Sequence, residues 1–274
     1  MRVLFLGDIV GRSARQAVIE QLAVLRENLS LDFIVVNCEN AAGGFGITPA
    51  ICDLLFDAGA DVLTTGNHVW DKREIIEYIA NEPRLLRPIN MAEGSPGVGI
   101  ATVTNDAGAR LCVMNVMTNL FMAPNDPVFL ALDDGLVRNK LGRDADFILV
   151  DVHGEATSEK MALGHLADGR ASMLVGTHTH VPTADHHILP SGTAYQTDAG
   201  MCGDYNSVIG MEKQAATDRF MGRGNSRLSV ALGPPTLCGL VVESDETGLA
   251  ISVAPLRIGG HLSMATGTDI IGRA

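Results

Sequence analysis

Positive charge is scarce in this chain: 20 Lys and Arg stand against 32 Asp and Glu in 274 residues, a formal net charge of −12 at pH 7. A protein that wraps duplex nucleic acid needs clustered cations to replace phosphate counterions, so the charge balance argues against that class. A small anionic substrate is not, because bound metal cations can invert the local potential of an acidic protein. Long apolar runs are also missing. Met1-Arg2-Val3-Leu4-Phe5-Leu6 meets Gly7-Asp8 too soon for a signal peptide or a membrane span, so the expectation is a cytoplasmic chain with no membrane partner. The five cysteines (Cys38, Cys52, Cys112, Cys202 and Cys238) are odd in number and lack C-x-x-C spacing. They read as reduced thiols and not as a disulfide framework or a zinc knuckle. No repeat, low-complexity run, linker-length Gly or Pro stretch or composition break divides the sequence. With 46% hydrophobic and 19% charged residues, the length suits one domain over 1–274 with a substantial core.

The first half alternates. Arg2 to Leu6, Phe33 to Val36 and Asp61 to Leu63 are short apolar runs that fit buried strands. Between and after them, Ser13 to Asn28, Pro49 to Ala58 and Asp71 to Ile79 carry helical spacing, Pro49 being tolerated in a first turn. This rhythm implies a parallel sheet with right-handed crossovers. The second half reads as hairpins: Val98 to Val103 with Leu111 to Val116, His186 to Leu189 with Thr193 to Gln196, and Leu240 to Glu243 with Leu249 to Val253. Phe147 to Val152 and Ala171 to Val175 are further apolar strands. Hairpins following a βαβ half predict two stacked sheets with helices outside: an α/β, four-layer α/β/β/α sandwich of two mixed sheets.

Each early strand ends in polar residues: Gly7-Asp8, then Asn37-Cys38-Glu39-Asn40, then Thr65-Gly66-Asn67-His68. Ligands of open α/β sheets bind outside the carboxyl ends of strands, so these tips should converge on one crevice. Later, Phe147 to Val152 ends at His153, and Ala171 to Val175 runs into Gly176-Thr177-His178-Thr179-His180. Alternation along the strand sends His178 and His180, from extended positions, to one face and Thr179 away. Any one tip alone is equally a turn or a helix cap. Hard oxygen donors early and imidazoles later, all at strand ends, point to a metal centre.

The same blocks resemble the metallophosphoesterase (calcineurin-like) superfamily, whose motifs run D-x-H, G-D-x-x-D, G-N-H, H and G-H-x-H. They look more closely like its YmdB-type branch, phosphodiesterases described as acting on cyclic nucleotides. The closer likeness rests on Leu6 to Gly11, Asn37 to Gly44, Thr65 to Asp71, His153 to Lys160, Gly176 to Asp185, Thr197 to Met201 and Ser207 to Met211. Two positions depart from the broad pattern: Val10 replaces a histidine, and Glu39 stands where an aspartate bridges the metals. The resemblance implies the calcineurin-like fold, a homo-oligomer, and two divalent transition-metal ions per chain, iron or manganese ahead of zinc. It assigns Glu39 as the bridge, Asp8, Asn40 and His180 to one metal, and Asn67, His153 and His178 to the other.

Two cations about 3.5–4 Å apart can clamp a phosphoryl group and activate a water or hydroxide, and a carboxylate bridges them because it has two oxygens to share. His68, next to a ligand, would then act as general acid or stabilise developing charge. The alternative is that it caps the helix expected near Asp71. The implied activity is hydrolysis of a 2′,3′-cyclic or 3′,5′-cyclic nucleotide, and a short single-stranded RNA end also fits such a crevice. Other readings of the same site are a phosphatase, a nuclease, or a metal-dependent nucleotide sensor without turnover. The remaining candidates are the Gly43-Gly44-Phe45-Gly46 loop, as a substrate loop or a turn needing positive φ, and Glu155, beside the ligands or at a helix start. Residues 119–134 read as an irregular apolar wall or subunit contact, and Tyr205 as a border of the site or a plain turn.

Overall fold

Alternation along single strands builds three separate cores. In the computed structural model, which describes residues 1–223, 227–268 and the backbone of 271–272, strand β1 (Arg2–Leu6) turns Val3 and Phe5 one way and Leu4 and Leu6 the other. Helix α1 (Gly11–Asn28), β2 (Phe33–Asn37), α2 (Pro49–Asp57), β3 (Val62–Thr64), α3 (Ile75–Ile79) and β4 (Leu85–Leu86) follow. Strands β5 (Ile100–Thr104) and β6 (Arg110–Met117) precede α4 (Val128–Arg138), β7 (Phe147–His153), α5 (Thr157–Ala167) and β8 (Met173–Thr177). The chain continues through β9 (His187–Ile188), β10 (Ala194–Gln196), α6 (Lys213–Phe220), β11 (Leu237–Ser244), β12 (Ala250–Ile258), β13 (Ala265–Thr266) and β14 (Ile271–Gly272). The single domain expected over 1–274 includes 224–226, 269–270 and 273–274, which lie outside the described residues.

One sheet runs β13-β12-β11-β1-β2-β3-β4, with β14 beside β12, and the other runs β5-β6-β7-β8-β10-β9. Both are mixed: β1 to β4 are parallel while β11 is antiparallel to β1, and β6, β7, β8 and β10 are parallel between antiparallel β5 and β9. Val3, Phe5, Phe33 and Val35 of the first sheet meet Val113, Phe147, Leu149 and Val175 of the second in the central layer. Leu4, Leu6, Ile34 and Val36 face outward onto Val18 and Leu22 of α1 and Leu55 of α2. On the far side, Met114, Ile148, Val150 and Leu174 pack on Val128, Leu132 and Leu163 of α4 and α5. The four layers are thus α, β, β and α. Burial of this apolar surface is the dominant favourable term in folding.

The differences from the sequence reading are local. Residues 119–134, expected to be irregular, contain the start of α4, whose Val128, Leu132 and Leu136 repeat at helical spacing. Pro124, Pro127 and Gly135 mask that period in the sequence. Helix α6, β4 and the short strands β13 and β14 were also unexpected, being too brief or too polar for a periodic signal. Helix α3 begins at Ile75 and not Asp71, because residues before it form turns: Val69 N–H donates to Gly66 O and Asp71 N–H to His68 O. Strands β11 and β12 are longer than expected. All five cysteines are buried thiols. Among the described residues, no helix is long and apolar enough to cross a membrane.

Candidate metal centre

Parallel strands of both sheets end at the same place, so every early tip meets a late one. Asp8 follows β1, Glu39 and Asn40 follow β2, and Asn67 and His68 follow β3. From the second sheet come His153, the last residue of β7, and His178 and His180, beyond β8. The histidines after β8 do not arrive by strand alternation. Strand β8 stops at Thr177, and His178 and His180 both take left-handed backbones, φ 93° and 66°. Such conformations are strained for a residue with a side chain and persist only where the surroundings enforce them.

Seven side chains expected as metal ligands converge. Glu39 with His153 and His178, and Glu39 with Asp8 and His180, form two groups whose donor atoms lie within 4.8 Å of one another, and Glu39 belongs to both. His153 Nε2 is 3.1 Å from Glu39 Oε1, 2.9 Å from Asn67 Oδ1 and 3.1 Å from His178 Nδ1. One ring nitrogen carries at most one proton and cannot serve three acceptors. Asn40 Nδ2 donates to Glu39 Oε1 at 3.1 Å and lies 3.2 Å from His180 Nε2. Asp8 Oδ1 and Asn40 Oδ1 are buried with no hydrogen-bond partner, although buried oxygens are ordinarily satisfied. An over-subscribed imidazole, two orphaned oxygens and a mixed N/O donor set fit a site for transition-metal cations.

Backbone and second contacts fix these donors. His180 Nδ1–H donates to Ile209 O at 2.8 Å, which turns the Nε2 lone pair toward Asn40. His178 N–H donates to Asp8 Oδ2, and His68 N–H to Glu39 Oε2, each at 3.2 Å. Tyr205 is no plain turn residue: its hydroxyl donates to His180 O at 3.0 Å. Gly66, in the turn after β3, leaves room for the neighbouring donors, since a Cβ there would lie 2.3 Å from the His153 ring and 2.4 Å from Glu39 Oε2. Val10, where the broader superfamily has a histidine, instead packs against Gly210.

Behind His153 lies a polar layer that the sequence reading passed over. His153 Nδ1 is 3.0 Å from Thr177 Oγ1, which donates to Asp151 Oδ1 at 2.7 Å; Thr64 Oγ1 and Asn37 Nδ2 donate to Asp151 Oδ2. The available signal was an aspartate inside the apolar run Phe147 to Val152. Burial pushes the Asp151 carboxyl up to about 6. Burial likewise raises Asp8. Burial alone would raise Glu39 too, but His153 overcomes it by charge and hydrogen bonding and draws the carboxyl down to about 2. Desolvation opposes a charge on His153, yet Glu39, Asp8 and Asp151 together lift it to about 9. His178 goes the other way, to about 3, through burial and the neighbouring His153.

A cleft of about 270 Å³ opens over the centre, lined by Glu39, Asn40, Gly44, Phe45, His68 and Glu155 among others. His68 does not cap a helix. Its Nδ1 donates to Asp71 Oδ2 at 2.8 Å and its ring sits edge-on to Phe45, 5.0 Å between centroids. The Gly43–Gly46 loop is a turn needing positive φ, at Gly43, Gly44 and Gly46, and Gly44 and Phe45 border the cleft. Glu155 Oε2 stands 3.5 Å from His178 Nε2. Residues 119–134 are absent from the described lining of this cleft.

The 2′,3′-cyclic-nucleotide 2′-phosphodiesterase of Bacillus subtilis (strain 168) is 44% identical over 259 residues, covering 94% of this chain and 97% of the relative. A structure described as a hypothetical protein from Thermus thermophilus superposes with a TM-score of 0.88 at 40% identity, covering 95% of this chain and all of that one. Another, described as a novel phosphatase from Mycoplasma pneumoniae, gives 0.87 at 32% identity, covering 94% and 93%. The architecture is therefore the calcineurin-like sandwich that the motifs implied. The family model for YmdB-like protein matches residues 4–256, and the chain belongs to that family.

Proposed function

We propose that this chain is a metal-dependent phosphoric diester hydrolase that opens small cyclic nucleotides, 2′,3′-cyclic monophosphates first. The observation that carries this reading is Glu39, shared by two ligand groups at the floor of a cleft beside His68. The name of the Bacillus subtilis relative supports the choice of substrate. Asp8, Asn40 and His180 would hold one divalent cation and Asn67, His153 and His178 a second, with Glu39 between them; manganese and iron suit the donors, and zinc is compatible. Cations bound there supply Lewis-acid polarisation of the phosphoryl group and acidify a water. Asp71 holds the His68 ring by Nδ1 and leaves Nε2 free to protonate the leaving ribose oxygen. Phe45 limits the ring's rotation from the side. The chain acts as one domain, since β1 sits between β2 and β11 and ties its two ends together.

Elemental analysis of the purified chain tests the foundation. Near two transition-metal equivalents are expected, lost in Glu39→Ala; substoichiometric metal indifferent to Glu39 would sink the reading. His68→Ala should keep its metal and lose about 10²- to 10⁴-fold in turnover. Ligand response without any turnover in the parent would favour a sensor. The phosphatase named in the Mycoplasma pneumoniae structure favours a second reading, a phosphomonoesterase. Faster hydrolysis of p-nitrophenyl phosphate than of bis-p-nitrophenyl phosphate would select it.

A further inference from the structure

Lys160 is the only lysine or arginine among the buried described residues, and its partner Asp198 is equally inaccessible, Nζ to Oδ2 2.9 Å. Taking both charges out of water is costly and is offset only by good geometry and further hydrogen bonds. Two of those further bonds go to the loop that follows β8. Lys160 Nζ donates to Thr177 O at 2.7 Å, the carbonyl directly before His178. Asp198 Oδ2 accepts Thr179 N–H at 3.1 Å, the amide between His178 and His180. Asp198 Oδ1 accepts Gly200 N–H, while Ala199 N–H donates to Gly176 O and Met201 N–H to His180 O. The segment 198–201 is thereby laced to 176–180 from end to end.

We propose that the Lys160–Asp198 pair is a positioning device that clamps the 177–180 loop so that His178 and His180 face the metal centre. The inference rests on the metal-centre reading above and adds to it the source of the loop's shape. Neither residue lines the cleft, whereas Thr179 does, so the pair acts through the loop and not on substrate. The need for a clamp lies in the two left-handed histidine backbones, which local sequence preference opposes. Hydrogen bonding alone does not explain an ion pair here: a lysine donor and a carboxylate acceptor fix a carbonyl and an amide two residues apart, and each neutralises the other. Gly176 is part of the arrangement, because a Cβ there would lie 2.9 Å from Lys160 Cδ and 1.8 Å from Thr197 O.

The test is calorimetric titration of EDTA-stripped full-length protein with Mn²⁺, alongside melting of each metal-free chain. Lys160→Met and Asp198→Asn should each weaken Mn²⁺ binding about 10- to 100-fold, the usual scale for groups that orient ligands. The double variant Lys160→Met with Asp198→Leu separates clamp from ballast, because replacing both charges with apolar groups generally preserves stability. Restored melting with affinity still weakened supports the clamp. Restored melting with parental affinity overturns it, leaving the pair a purely structural contact. Should the double variant not fold, Asp198→Asn, which keeps the side-chain volume, decides: parental affinity there overturns the proposal. A parent chain that binds no Mn²⁺ rejects the metal centre itself, whereas a binding parent with equally tight variants rejects the clamp alone.

Discussion

His153 Nε2 shows how one atom reports on a site. It faces an anionic oxygen, an amide oxygen and another imidazole, and a proton or a cation can occupy the space between them, not both. A metal ligand must be the neutral imidazole, so cation and proton compete. In the metal-free chain the histidine's pKa of about 9 exceeds its unfolded value of 6.5, so its contribution is complete below pH 6.5 and lost as pH rises through about 9. It amounts to roughly 3 kcal/mol. His178, lowered from 6.5 to about 3, acts mainly below that window. Denaturant midpoints of EDTA-treated protein should therefore fall from pH 6.5 to 9, while saturating Mn²⁺ should abolish or reverse the slope. A flat metal-free profile would mean that His153 carries no such proton.

At the level of elements, legibility followed how regular the backbone is. Strands such as β1, β2 and β7 could be read from apolar runs, and their tips gave Asp8, Glu39, Asn40, Asn67, His68 and His153 because a strand's carboxyl end is a fixed address. The second pair of histidines was found for the wrong local reason: the chain leaves β8 at Thr177 and turns twice through positive φ. H-x-H spacing marks the residues but does not encode that path, which depends on bonds to segment 198–201, distant in sequence. Asp151 was hidden for a similar reason, its role being set by Thr64 and Asn37 from the other sheet. A Cβ at Gly176 would lie 1.8 Å from Thr197 O in the segment after β10, and a backbone carbonyl cannot move aside as a side chain can. Gly176→Ala should cost roughly 1–3 kcal/mol by urea denaturation. An unchanged midpoint would show that the two segments separate freely.

On the scale of the whole molecule, the centre is a seam. Asp8, Glu39, Asn40 and Asn67 follow strands of one sheet, and His153, His178 and His180 come from the other, so a cation held by these donors would fasten layers otherwise joined by apolar packing and by the bonds of Thr64 and Asn37 to Asp151. Buried carboxylates gather on that seam in a chain already carrying a net charge of −12. Cations held there would relieve repulsion among these carboxylates. Binding to the native state alone stabilises by RT ln(1 + [L]/Kd), about 2.7 kcal/mol at a hundredfold excess over Kd. With an unfolding entropy near ~2.1 cal/mol/K per residue, that corresponds to roughly 5 °C in Tm for a chain of this length. Scanning calorimetry of stripped protein with and without Mn²⁺ should show the rise, and Glu39→Ala should abolish it. A Tm indifferent to Mn²⁺ in the parent would mean that the converging donors bind no cation at these concentrations.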